Sequence, residues 1–179
     1  MRISVSAIVF AALLATGCSV GPRLENVYQM ALPLDAGSRF NGNTPLAGRV
    51  VLGTVATFEK KWLMGGDTYA RIEEFKDALK HSLEDAQLTA LGNPGFTLNA
   101  VVTRAEADQS GDTFTVGVNY SLVPVAGGAA VVQRSIITSH TATGGDPNQE
   151  GAPKDLARNG AFRMNIEQAF DMLYRVKLR

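Results

Sequence analysis

The sequence predicts an α+β fold. It reads as a two-layer sandwich in which two helices cover one face of a four-stranded, mainly antiparallel sheet, in the order β-α-β-β-β-α. Two observations and one packing rule predict it. Phe114, Val116, Val118, Tyr120 and Leu122 alternate strictly with Thr113, Thr115, Gly117, Asn119 and Ser121, the pattern of a strand with one buried face. Two longer stretches carry apolar residues at three- and four-residue steps, as helices with a single buried stripe do. A sheet with one apolar face needs such a second layer to cover it.

The elements follow in order. Residues 49–58 form the first strand, with Val50, Val51, Leu52, Val55 and Phe58 on both alternating faces. The first helix begins near Thr68 or Tyr69, with Asp67 or Thr68 as cap. Its stripe is Ile72, Phe75, Leu79, Leu83, Ala86 and Ala90, and Gly92 and Pro94 end it. Glu73, Glu74, Asp77, Lys80, Glu84 and Asp85 fall outside the stripe and read as a solvated face. Phe96, Leu98, Ala100 and Val102 alternate with Thr97, Asn99, Val101 and Thr103 in the second strand. Residues 108–112 and 124–128 supply turn chemistry on either side of the third strand. Ala130, Val132, Ile136 and Thr138 share one face of the last strand, with Gln133, Ser135 and Ser139 on the other. The final helix runs over 153–176, buries Leu156, Phe162, Ile166, Ala169, Phe170 and Leu173, and starts on Pro153. Gly160 interrupts that stripe where the helix approaches the sheet closely.

The chain begins with a separate device. Arg2 gives a positive start, residues 3–14 are apolar apart from Ser4 and Ser6, and Ala15, Thr16 and Gly17 are small. This is the anatomy of a secretory signal. The apolar run is short of the roughly 20 residues that a bilayer-spanning helix needs. Cys18, the one cysteine in the chain, follows directly, and the junction resembles the lipobox of bacterial lipoproteins. That resemblance implies acylation of Cys18. Several acyl chains anchor firmly, because each buried CH₂ contributes about 0.8 kcal/mol. By the same resemblance, Ser19 in place of Asp implies sorting to the outer membrane. Ordinary cleavage after Gly17 would instead leave a periplasmic chain with a terminal thiol. The expected organisation is a signal peptide over 1–17, a lipidated tether over 18–48 and a periplasmic α+β domain over 49–179. The tether reading rests on seven Gly and Pro residues without a sustained period. Val27, Met30, Leu32 and Leu34 are expected to lie against the domain.

Composition narrows the functional classes. Loss of Arg2 with the signal leaves 16 basic against 17 acidic residues, a net charge near −1. No basic field for nucleic acid is expected from that balance. No Ser sits in a Gly-x-Ser-x-Gly elbow, the sole thiol is committed to lipid, and His81 and His140 have no cysteine partner for a zinc site. Gly65, Gly66 and Asp67 lack the lysine and spacing of a phosphate loop and read as a capping turn. Residues 146–150 lack the alternation of a calcium loop. An enzyme, a metal and a cofactor are therefore not expected. Trp62, Leu63 and Met64 form an apolar loop between charges and glycines. Such a loop either folds over the sheet edge or contacts a partner.

A lipobox followed by β-α-β-β-β-α resembles the small outer-membrane lipoproteins of the LptE-like and YajG-like kind, over most of residues 49–176. Arg158, Ala161, Arg163, Asn165, Ile166 and Phe170 resemble the closing helix of other bacterial lipoproteins. The expectation is a periplasm-facing outer-membrane lipoprotein, held by acylated Cys18. It would be a non-enzymatic accessory subunit that meets an envelope protein partner in an assembly or transport complex. The alternative is a lipid- or glycan-binding module with a pocket between helices and sheet.

Overall fold

The computed structural model describes residues 22–33, 39–40, 44–57, 66–110, 112–142 and 153–178. Its elements are α1 (Pro22–Met30), β1 (Val50–Thr57), α2 (Gly66–Asp85), β2 (Phe96–Ala107), β3 (Thr113–Pro124), β4 (Val132–Thr141) and α3 (Pro153–Tyr174). The four strands form one mixed sheet in the order β1-β2-β3-β4. β1 runs parallel to β2, while β2–β3 and β3–β4 are antiparallel. This is the predicted α+β sandwich with one helix added.

The core lies between the sheet and the helices. Leu98, Ala100, Val102, Val116, Val118, Tyr120, Leu122 and Ile136 supply it from the sheet, and Phe75, Leu79, Leu83, Phe162, Ile166 and Phe170 supply it from α2 and α3. The β3 alternation is realised as predicted, because no bulge interrupts its pairing with β4. β2 runs past the predicted Thr103. Its register shifts between Val102 and Arg104, after which Ala105 takes the buried side. One extra residue moves the apolar set to the other parity, so the continuing strand looks like a finished one.

The added helix, α1, lies in the stretch read as a tether. α1 packs against both α2 and α3, and Val27, Met30 and Leu32 are buried there, as expected of them. Leu34 lies outside the described residues. Phe40 and Leu46 extend the same contact, with the Phe40 ring 4.8 Å from that of Tyr174, whose hydroxyl donates to the Phe40 carbonyl. A nine-residue helix gives too few turns for a clear period. Its stability comes from tertiary packing that the local sequence does not display.

α2 begins at Gly66 and stops at Asp85, five residues before the predicted Ala90. The stop is made by Gln87, which adopts a left-handed φ of 56°. The Gln87 N–H donates to Glu84 O (3.0 Å) and the Leu88 N–H to Leu83 O (2.9 Å), the paired bonds of a Schellman cap. Buried Leu83 and Leu88 add its usual apolar contact. Residues 88–90 then run beside β1: Val50 N–H donates to Leu88 O and Ala90 N–H to Val50 O, both at 2.9 Å. Glycine carries no Cβ penalty in this conformation, which costs other residues roughly 1–2 kcal/mol. Gln87→Gly is expected to stabilise the chain by about 1 kcal/mol, read as a higher urea midpoint at unchanged slope.

Candidate functional site

The residues that the sequence singled out most strongly, Cys18, Trp62, Leu63 and Met64, lie outside the described residues, as does segment 146–150. α2 starts at Gly66, ahead of the expected start near Thr68 or Tyr69, so Gly66 and Asp67 are helical rather than part of a capping turn. The two histidines are on separate elements. His81 Nδ1 lies 3.7 Å from Glu84 Oε2 on the same helix face, and its ring is 5.4 Å from Tyr28. This is a partly exposed surface pair. His140 sits at the far end of β4, and partial burial, with the Arg163 charge second, lowers its pKa. Both influences favour the neutral imidazole.

The His140 ring explains Gly160. A Cβ built at Gly160 would stand 2.1 Å from His140 Cδ2, so the glycine is what lets the imidazole lie against α3. Glycine inside a helix otherwise costs about 1 kcal/mol relative to alanine. We expect Gly160→Ala to destabilise the native protein but to stabilise a His140→Ala variant by about 1 kcal/mol. Denaturant melts of the four chains in that cycle provide the check.

Two polar clusters hold the helices in place. Under α3, the Tyr120 hydroxyl donates to Asn165 Oδ1 (2.9 Å), and Asn165 Nδ2 donates to Ile136 O (3.0 Å) and Thr138 Oγ1 (3.2 Å). Thr138 Oγ1 donates onward to Ala161 O (2.8 Å). Burial pushes the Tyr120 phenol far above its ordinary pKa and keeps it a donor. The second cluster joins three helices. Buried Arg158 donates to Asp155 Oδ1 (2.6 Å) and through two nitrogens to Asn159 Oδ1 (3.1 and 2.9 Å). Asn159 Nδ2 reaches Asn26 Oδ1 (3.0 Å) and Gln29 Oε1 (2.7 Å), and Asn26 Nδ2 reaches Glu74 Oε1 (3.3 Å). Hydrogen bonds that link three helices in this way fix one arrangement of α1 on the body. Alternating apolar positions carry no sign of these bonds, which join residues up to 133 positions apart.

The sheet presents its other face to solvent. Thr97, Asn99, Thr115, Asn119, Ser135 and Ser139 line it, and Thr115 Oγ1 lies 2.8 Å from Ser139 Oγ across β3–β4. Ile137 is an apolar residue on this face, 61% exposed opposite Gly117. Its two edges differ. β1 is broken by a register shift between Leu52 and Val55, where Asn99 Oδ1 accepts from Thr54 N–H (2.9 Å), and residues 88–90 cover its start. β4 pairs without a shift along its whole length, and among the described residues it pairs on one side only.

Beneath the β4 edge a cleft of about 330 Å³ opens against the end of α3. Val132, Met172 and Val176 line it together with Arg134, Arg175 and Lys177. A smaller hollow of about 160 Å³ adjoins it, where Gln168 and Asp171 meet Arg134 and Arg175. Among the described residues, none of these three cations takes part in an ion pair. Nothing local in the sequence joins them, since Arg134 lies on β4 and the other two follow α3. No described helix is long and apolar enough to cross a membrane.

No protein-family model matches the chain, and no curated protein does. Solved structures do. A dodecameric PelC variant from Paraburkholderia phytofirmans is similar with a TM-score of 0.53 at 14% identity, covering 76% of this chain and 94% of that one. A protein from Xanthomonas campestris gives a TM-score of 0.49 at 14% identity, over 75% of this chain and 88% of its own. A protein from Caulobacter crescentus described as a lipoprotein gives 0.43 at 14% identity, over 79% of this chain and 96% of its own. At these identities the PelC likeness shows a shared fold.

Proposed function

We propose that this chain is a lipid-anchored, periplasm-facing outer-membrane lipoprotein of the LptE-like and YajG-like kind. It acts as a non-enzymatic accessory subunit of an envelope assembly or transport complex. The observation that carries the reading is Cys18, placed directly after Ala15, Thr16 and Gly17 at the end of an apolar signal. Acylation there would tether a body whose described surface offers an open sheet edge rather than a convergent nucleophile and base. The shared fold with PelC, a protein that forms a dodecamer, supports a part in a multi-subunit assembly. Trp62, Leu63 and Met64 are proposed as a further contact with the partner.

The test is affinity capture of the chain from mild-detergent envelopes beside a Cys18→Ala control, with labelled palmitate in the growth medium. The expected result is label on the native chain alone, together with stoichiometric recovery of an envelope protein that declines in the control. A chain that takes no label, or one recovered alone with lipid or glycan in its mass spectrum, would overturn the subunit reading.

A further inference from the structure

We infer that the outward edge of β4, with the cleft beneath it, is a docking groove for an extended acidic segment of a partner protein. The segment adds to the sheet as a further strand. The inference deepens the accessory-subunit reading by naming the surface and the chemistry of what it holds.

Ala142 N–H donates to Asp112 O (2.8 Å), and antiparallel ladders alternate between bonded and non-bonded pairs. Arg134, Ile136, Thr138 and His140 therefore share their peptide groups with β3. Gln133, Ser135, Ile137, Ser139 and Thr141 turn theirs outward. The side chains agree with this parity: Thr113 Oγ1 and Thr141 Oγ1 lie 3.0 Å apart, and Thr115 Oγ1 and Ser139 Oγ 2.8 Å apart, the close approach typical of non-bonded pairs. Soluble proteins usually blunt such an edge with a bulge, a proline or a covering loop. β1 carries the first and last of these devices. The 10 residues of β4 contain no proline and no register shift, so its outward peptide groups form an intact template for another strand.

Side chains then define the occupant. A strand added to β4 would send alternate side chains toward the helix layer, where the cleft lies. Val132, Met172 and Val176 there offer apolar contact, and Arg134, Arg175 and Lys177 surround it with positive charge. Asp171 is the one acidic residue lining the two hollows. Carboxylates at alternate positions of the incoming strand would meet cations that have no ion-pair partner among the described residues. A basic segment would meet repulsion.

The probe is a fluorescent synthetic peptide of alternating Glu and Thr, as long as β4, titrated into the full chain purified in mild detergent. A Lys–Thr peptide and polygalacturonate serve as comparisons. Saturable binding of the Glu–Thr peptide is expected, weakened about tenfold or more by Arg134→Ala with Arg175→Ala and by raised salt. Ser135→Pro removes one outward N–H while sparing the β3–β4 ladder, a position where edge strands tolerate proline, and should abolish binding. Arg134→Glu with Arg175→Glu offers a second route that leaves the backbone alone and should shift preference to the Lys–Thr peptide.

Binding that survives Ser135→Pro in a chain with native circular dichroism, or equal binding of polygalacturonate, would overturn strand addition. So would an edge already occupied by a second copy, seen as an oligomer that Ser135→Pro dissociates. Because purified chain and peptide suffice, these outcomes are independent of palmitate labelling and envelope capture.

Discussion

Phe162→Ala is expected to destabilise the protein by about 3–5 kcal/mol, the usual range for deleting a fully buried aromatic ring. Phe162 reaches from α3 to both α2 and the sheet. Its ring centroid is 4.8 Å from that of Phe75 on α2 and 6.4 Å from that of Phe114 on β3, with only 2% of its surface exposed. Removing it opens a cavity at the point where the second layer meets the sheet. Close-packed interiors collapse only partly around such a void. Urea unfolding should show a much lower midpoint at unchanged slope. Phe162→Leu, which keeps most of the volume, should cost less than about 1.5 kcal/mol. Equal losses in the two variants would mean that ring packing is not what holds α3 to the sheet.

What the sequence displays and what it conceals follow from how local each signal is. β3 is legible because Phe114 through Leu122 keep one parity along an unbroken ladder. β2 is legible only as far as Thr103, since the bulge exchanges its faces. Gly92 and Pro94 attract attention as a helix stop, yet Gln87 makes the turn, because bonds to Glu84 and Leu83 and the buried Leu83–Leu88 contact outweigh its conformational cost. α1 is hidden for a different reason. Its register is set by buried apolar contacts and by Asn159, residues far away in the chain. The β4 groove is likewise non-local, combining Arg134 with Arg175 and Lys177. Cys18 stands at the other extreme. The pattern that suggests its acylation is wholly local, spanning residues 2–18.

Asn165→Ala is expected to cost about 2–4 kcal/mol, combining a lost buried acceptor with a small cavity. The Tyr120 hydroxyl, fully buried and unable to reach water, would keep its proton and lose its acceptor. Ile136 O would lose the donor from α3 at the same time. Tyr120→Phe, which leaves Asn165 Oδ1 without that donor, should cost about 1–2 kcal/mol. The informative chain is Tyr120→Phe with Asn165→Leu. It replaces both partners by apolar groups, so it should cost less than the sum of its single variants, by a coupling of about 1–2 kcal/mol. Urea melts of the four chains measure that coupling. Additive losses would mean that Asn165 acts through packing alone. A positive coupling would assign it the task of fixing where α3 crosses β3 and β4, and with it the alignment of Arg175 beside the open edge. Peptide affinity should then fall in Asn165→Ala even at temperatures where the chain remains folded, a loss that a contribution to stability alone would not produce.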